Sequence, residues 1–373
     1  MTELAITAVV IPEKLDDALP QGVRGPGEAR DASDFRDCCA LRDAHLLEVW
    51  GNLDRCATVQ EGLQFWRGND YEERLLFIAR LGGEAVGLCS VILPLKENLS
   101  DADIDVLVVP AHRRNGIGRR LLEFVEQLAV SRGRTVFDAC SDMLAGCVAE
   151  AAGLLMAKSG TGGLPLDAAA TAFALGAGYQ LEQVETSGQL QLPVPSEHLD
   201  ALESEARERA ADYRLAEWKD ACPEALVDAY AVLKGKITVD VPMAGMDWGP
   251  ENWDAARVRE EERAWAMGGI ESLVAGALHM ETGALAAYSV LNRRQMMPGI
   301  LNQEDTFVDS GHRGHRLGML TKIANIRRAQ RSWPEGLSIT TWNASENQHM
   351  LAINTSLGFR PAGYEGEWQK RLE

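Results

Sequence analysis

Asp105-Val106-Leu107-Val108-Val109-Pro110-Ala111-His112-Arg113-Arg114-Asn115-Gly116-Ile117-Gly118 has a counterpart 200 residues later, Asp305-Thr306-Phe307-Val308-Asp309-Ser310-Gly311-His312-Arg313-Gly314-His315-Arg316-Leu317-Gly318. Asp105, Val108, His112, Arg113 and Gly118 are identical to their counterparts, with no slip between them. In each copy a short stretch with the period of two of a strand meets a basic turn and then the period of a helix, Gly116 to Ser131 and Leu317 to Arg331. A strand-turn-helix module that occurs twice at one offset points to an internal duplication.

Outward from the module, each half reads in the same order. Asp34 to Trp50 has helical spacing, and Leu75 to Leu93 reads as a hairpin turning at Gly82-Gly83. In the second half Glu224 to Lys234 and Trp253 to Met267 look helical. Glu271 to Leu291 reads as a hairpin turning at Glu281-Thr282-Gly283, and Leu337 to Trp342 as a strand. Strands alternating with helices, plus hairpins, give an α/β expectation: two tandem domains, each a central mixed β-sheet flanked by helices. Leu192-Pro193-Val194-Pro195 breaks a strand-like run before the charged stretch Ser196 to Asp212, because proline cannot donate to a central ladder. The expected domains are therefore residues 1–200 and 201–373.

The composition narrows the function. The 373 residues carry 37 Lys and Arg against 55 Asp and Glu, a formal charge of −18, which argues against a phosphate backbone or an anionic membrane as partner. Neither nucleic acid nor membrane is expected, and no apolar run approaches the ~18 residues of a membrane span. With no basic, apolar leader after Met1, the cytoplasm is the expected location. The seven cysteines show none of the paired spacings of a zinc site, so reduced thiols and no metal are expected.

A turn of small residues at a helix start exposes backbone N–H groups at the positive end of the helix dipole, which suits an anion such as a diphosphate. Gly116 would let the main chain adopt positive φ, and Arg113 would add a fixed charge. Neither copy carries the Gly-Lys-Ser/Thr of a Walker loop or the Gly-x-Gly-x-x-Gly of a dinucleotide fold.

Val108-Val109-Pro110 through Arg113-Arg114-Asn115-Gly116-Ile117-Gly118 resembles the acyl-CoA signature of the GNAT acetyltransferases. Arg313 to Gly318 is similar, although Arg316 stands where a glycine is usual. The resemblance extends to Asn343-Ala344-Ser345-Glu346-Asn347 and to Asn354 through Gly358-Phe359. It covers most of the chain and implies a tandem GNAT protein that moves an acetyl group from acetyl-CoA to a primary amine of a small molecule. The resemblance places the pantetheine arm in a split between two parallel strands. The residues it implies for the acyl-CoA are Val106, Leu107, Val108, Arg113, Arg114, Asn115, Gly116, Ile117 and Gly118 in the first half. In the second half they are Thr306, Phe307, Val308, Arg313, Gly314, His315, Arg316, Leu317, Gly318, Asn343 and Asn347.

The halves depart from the family pattern in opposite places. The first keeps both turn glycines but runs from Thr135-Val136-Phe137-Asp138 into an Ala- and Gly-rich insertion, Ala145 to Gly163. The second keeps the asparagines. Strand alternation puts Glu304 on the face of Thr306 and Val308, where an acceptor amine would meet the thioester. The resemblance implies that a glutamate there takes the amine's proton, and the first half has Ile104 instead. The second half, residues 201–373, is thus the expected catalytic domain. The family's usual proton-donating tyrosine is replaced by Asn354, with Ala174 in the first half, so Tyr364 is the remaining donor to consider. Two other readings stay open: a non-catalytic acyl-CoA sensor or scaffold, and catalysis in the first half. The oligomeric state and the acceptor's identity stay open too.

Overall fold

The computed structural model of the chain describes residues 3–18 and 30–372. Two compact units divide it. One comprises Met1–Val184, Ala244–Trp248 and Glu365–Glu373, the other Glu185–Met243 and Gly249–Tyr364. Both are α/β.

In chain order the first unit begins with β1 (Leu4–Ala8), α1 (Leu15–Ala18), α2 (Arg30–Trp50), α3 (Val59–Phe65), β2 (Glu72–Leu81), β3 (Glu84–Pro94) and β4 (Asp101–Val108). It continues with α4 (Ile117–Ser131), β5 (Val136–Leu144), α5 (Ala145–Ala149), β6 (Leu154–Met156), β7 (Gly163–Pro165) and α6 (Ala169–Gly176). Then β8 (Gln180–Gln191) runs out of it. The second unit holds α7 (Ser196–Arg209), β9 (Tyr213–Lys219), α8 (Val227–Asp240), α9 (Ala255–Met267), β10 (Ile270–His279), β11 (Leu285–Arg294) and β12 (Ile300–Val308). It ends with α10 (Leu317–Ser332), β13 (Ser338–Ala344), α11 (Gln348–Leu357) and the start of β14 (Arg360–Arg371). The units divide inside β8 and β14, so Glu365–Glu373 completes the first unit, whereas the sequence suggested a single break near residue 200. The Leu192–Pro193 step does end β8, and the charged stretch after it folds as α7.

Each unit has a sheet with helices on both faces. In the first, α2 and α3 cover one face through Phe35, Leu63 and Trp66, which pack with Ile78, Leu88 and Leu107. The other face receives α4, whose Ile117, Leu121, Leu122, Val125 and Ala129 form an apolar stripe. In the second, Val227, Tyr230 and Val258 of α8 and α9 pack on Val290 and Phe307, while α7 and α10 bury Leu199, Leu320 and Ile323 with Leu291 and Leu301.

Two details of register position the sites. The parallel pair β4–β5 is joined only from Asp101↔Val136 to Asp103↔Asp138, and β12–β13 only from Ile300↔Ser338 to Asn302↔Thr340. Beyond those points the strands part, and a V-shaped split opens in each unit. The antiparallel neighbours differ. β3–β4 runs in regular register from Gly87↔Val108 to Ile92↔Asp103. β11–β12 follows the same pattern as far as Ser289↔Thr306, but the next pair is Leu291↔Gln303. Glu304 and Asp305 together oppose Val290, which makes a β-bulge.

Candidate active site

The basic turns share one backbone. Positive φ falls at Arg114 and Gly116 in the first and at Gly314 and Arg316 in the second, with Gly116 and Arg316 as the N-caps of α4 and α10. Each turn so aims main-chain N–H groups outward at a helix N-terminus, an anion-binding arrangement. Gly118 and Gly318 lie inside the first turn of the helices, each facing the strand. A Cβ on Gly118 would lie 3.6 Å from Val108, and one on Gly318 3.6 Å from Thr306, ordinary contact distances that a small side chain would meet without a clash.

The side chains of these turns are largely engaged. Arg113 donates to the Val108 carbonyl at 2.9 Å and holds both oxygens of Glu48 at 2.7 Å. Arg313 pairs with Asp240, Arg316 with Glu205 at 2.6 Å, and His315 Nδ1 meets the Arg209 carbonyl at 2.9 Å. Asn115 reaches back to the His112 and Arg113 carbonyls at 3.4 and 3.3 Å. His112 stands 3.5 Å from Glu84, and His312 Nδ1 takes part in a 2.8 Å hydrogen bond with Tyr213. The guanidinium charges of Arg113, Arg313 and Arg316 are thus already matched by carboxylates, whereas Arg114 is exposed and makes no ion pair among the described residues, which leaves it, the backbone N–H groups and the helix dipole as the free anion-binding elements.

At the splits, Val106 and Val108 stand on the α4 side, Thr306 and Val308 on the α10 side. Leu107 and Phe307 are buried among the helices of the opposite face. Thr306 Oγ1 bonds Ser289 at 2.9 Å and accepts from Gln303 at 3.3 Å. The bulge overturns one sequence expectation. Gln303, not Glu304, shares the Thr306 face, because one extra residue shifts the alternation. Glu304 takes an Asn292 hydrogen bond at 3.4 Å and lies with Asp305, Glu261 and Lys234 on the side of α8 and α9. Ile104 pairs with Val91 as Gln303 does with Leu291, so it is the counterpart of Gln303, and Glu304 is the inserted residue.

Glu304 retains solvent access, yet the protein walls around it and the charges of Asp305 and Glu261 push its carboxyl up to about 7. Beside it Lys234, 3 % exposed, bridges Glu261 at 3.0 Å and Asp305 at 3.3 Å, and the Tyr288 hydroxyl donates to Asp305 at 3.1 Å.

The other sequence candidates lie apart from this cluster. Asn354, buried in α11, donates to Asn343 of β13 at 2.6 Å, and its carbonyl accepts the Gly358 and Phe359 N–H groups. That arrangement ties the helix end to the strand. Asn347 caps α11 by accepting from Met350 N at 3.2 Å. Tyr364 is half-buried in β14 and makes no side-chain hydrogen bond among the described residues. Sequence reasoning passed over Lys234, Glu261 and Asp103. The repeat of Asp105 as Asp305 was the one available signal, and both pair with a cation from an earlier helix, Arg42 at 3.0 Å and Lys234.

Residues 45–142 match the family model described as Acetyltransferase (GNAT) family. No curated protein matches the chain in sequence. Among solved structures, a tandem GNAT protein from the clavulanic acid biosynthesis pathway is similar over 99% of this chain and 98% of its own, at 23% identity and a TM-score of 0.71. A GCN5-related N-acetyltransferase from Sphaerobacter thermophilus is similar over 99% and 95%, at 13% identity and a TM-score of 0.58. The first unit's turn and split lie inside the family match, and the second unit repeats both. Residues 45–142 thus match the GNAT acetyltransferase family, and the chain as a whole shares the fold of a tandem GNAT protein.

Proposed function

We propose that the chain is an acyl-CoA-dependent N-acetyltransferase that moves the acetyl group of acetyl-CoA to a primary amine of a small molecule by direct attack. The chemistry is assigned to the C-terminal domain, residues 201–373, in the cytoplasm. The carrying observation is the β-bulge that sets Glu304 open to water beside the β12–β13 split.

Residues and ligand fit in three respects. The α10 N-terminus offers N–H groups to the diphosphate. The unpaired β12 edge beyond Asn302 offers main-chain donors to the pantetheine amides and to the acyl oxygen as charge develops on it. Glu304 then accepts a proton from the attacking nitrogen, directly or through water, and with a pKa of about 7 it is matched to that task near neutrality. Lys234 keeps Asp305 and Glu261 from acting as unmatched charges beside it. The engaged positions of Asn354 and the isolation of Tyr364 give no support to a protein acid, and the thiolate, with a pKa near ~8.5, can leave without one.

The test is amine-dependent thiol release from acetyl-CoA, followed across pH. The wild-type rate rises through pH ~7 as Glu304 loses its proton, and Glu304→Gln lowers it by ~10²- to 10⁴-fold with acetyl-CoA affinity retained. A Glu304→Gln protein with the same rate between pH 6 and 9 removes Glu304 from the reaction. Tight acetyl-CoA binding without thiol release from any amine favours the sensor reading.

A further inference from the structure

The bulge that brings Glu304 forward is bonded to a buried polar cluster that the first unit lacks. On the α10 side of β12 the Gln303 side chain is buried, and its Nε2 donates to the Val290 carbonyl at 2.6 Å and to the Glu304 carbonyl at 3.1 Å. The same nitrogen lies 3.1 Å from Ser289 Oγ and 3.3 Å from Thr306 Oγ1, and those two hydroxyls bond each other at 2.9 Å. A carbonyl oxygen can only accept, so it is the amide nitrogen of Gln303 that faces the bulge. The main-chain carbonyl of Gln303 accepts from Thr341 Oγ1 at 3.3 Å, just past the last joined pair Asn302↔Thr340. Behind it, Asn325 of α10 donates to the Ser289 carbonyl at 2.8 Å.

The bulge itself explains why such donors are needed. Two residues of β12 oppose one of β11, which disrupts the ladder and leaves main-chain carbonyls to find other partners. A buried carbonyl without a donor is costly. Gln303 spans the defect by bonding a carbonyl on each strand, Val290 of β11 and Glu304 of β12. By register and by the 200-residue offset, Ser289, Gln303, Thr306 and Asn325 correspond to Cys89, Ile104, Val106 and Val125 of the first unit, where β3–β4 keeps its regular register. Apolar side chains fill that space in the first unit, but they could not donate to the carbonyls of a bulge.

We propose that Gln303 is a positioning residue whose amide locks the β-bulge and so holds Glu304 on the side of α8 and α9, with Ser289 and Thr306 fixing the amide and Asn325 the strand behind it. The catalytic consequence rests on the reading of Glu304 as the base, whereas the lock itself does not. Without the donor, the extra residue is free to shift along β12, and a shift of one position turns Glu304 to the opposite face.

The experiment uses the full chain with Gln303→Met, which keeps the length of the side chain and removes the donor, alone and combined with deletion of Glu304. Three quantities are measured: the melting temperature, steady-state thiol release from acetyl-CoA with a primary amine, and the titration of Glu304 by NMR of its carboxyl carbon, identified as the signal lost in Glu304→Gln. Gln303→Met is expected to lower the melting temperature of the bulged chain by several degrees and to leave that of the deletion unchanged, since a regular register accepts an apolar side chain there, as β4 accepts Ile104. Turnover falls ~10- to 10²-fold with the KM for acetyl-CoA within about twofold. The Glu304 carboxyl then titrates below about 7, because it leaves the walls, Asp305 and Glu261 that raise it, and the acid limb of the rate profile moves down with it. Equal melting losses with and without the deletion, together with an unmoved Glu304 titration, overturn the lock and leave the proposed function standing. A displaced titration with the rate unchanged in both Gln303→Met and Glu304→Gln keeps the lock and overturns the proposed function. If Gln303→Met does not fold, Ser289→Ala, which removes one of the amide's acceptors, is read in its place: a displaced Glu304 titration supports the lock and an unmoved one overturns it.

Discussion

β4 and β12 begin from the same aspartate-strand-turn signature, yet one runs straight and the other bulges. Their turns differ in a mirrored way as well, since the two left-handed positions are Arg114 and Gly116 in one and Gly314 and Arg316 in the other. The shared features are the backbone path of the turn, the helix that follows and the point at which the parallel strands part. The acids are not shared: Asp103 is the counterpart of Asn302 at the last joined pair, whereas Glu304 is an inserted residue two positions beyond that point. A duplicated scaffold thus keeps the main chain of its turn and split while the side chains beside the split differ.

The strongest way to break this comparison is to remove the insertion. Deleting Glu304 should give β12 the register of β4, with Gln303 kept opposite Leu291 as Ile104 is opposite Val91 and the open acid removed. Turnover in the second unit is expected to fall as far as in Glu304→Gln, ~10²- to 10⁴-fold, with a change in melting temperature of a few degrees. Steady-state thiol release and a thermal melt check it. Full activity in the deletion would show that the bulge does not supply the base.

The clamps offer the next test. Lys234 is 3 % exposed, whereas the Arg42 side chain is 33 % exposed. Lys234→Met leaves Asp305 and Glu261 without their cation, at a cost of ~3 to 5 kcal/mol in denaturant unfolding. The same change moves the acid limb of the rate profile upward from about 7, because the cation that favours ionised Glu304 is gone. Arg42→Met should cost ~1 kcal/mol, since its ion pair is partly in water. Equal losses would mean that the clamps are not buried to different depths.

A third contrast lies on the paired helices. Leu122 of α4 has Lys322 of α10 as its counterpart, buried to 2 % exposure, with a Phe359 ring 5.8 Å from its Nζ. Burial pushes the Lys322 amine down to about 7 from an ordinary 10.5. Below pH 7 it is charged in both states and the full penalty applies. Between 7 and 10.5 the unfolded chain binds the extra proton, so stability rises with pH, and above that range no charge is at stake. Lys322→Leu is therefore expected to stabilise the second unit by on the order of 3 kcal/mol below pH 7, the gain fading toward pH 10.5. Melts at several pH values read this directly.

Much of the fold was legible because it rests on local signals. Gly82-Gly83 fixed one hairpin, the spacing of Leu121, Leu122 and Val125 fixed α4, and the five repeated residues fixed the duplication. The face of Glu304 was not legible, since a bulge is a property of two strands in register and leaves no mark in the alternation of one. Nor was the capture of Arg113 by Glu48, which depends on where α2 packs. The exchange of β14 into the first unit was hidden for the same reason. A strand's partners are chosen by tertiary contact, and Arg360 to Arg371 looks alike in either sheet.

The smallest effect belongs to the mirrored turns, and it separates backbone from side chain. Arg316 holds φ +56°, a left-handed conformation that costs a non-glycine residue ~1 kcal/mol, and its ion pair with Glu205 is half exposed and returns little. Arg316→Gly should therefore raise unfolding free energy by ~1 kcal/mol, and Gly116→Arg in the other turn should lower it by about the same amount. If the turn binds its anion through main-chain N–H groups alone, acetyl-CoA affinity at the second unit stays within about twofold in Arg316→Gly. A tenfold loss, ~1.4 kcal/mol, would instead mean that the guanidinium leaves Glu205 for the ligand and that the two turns bind by different means.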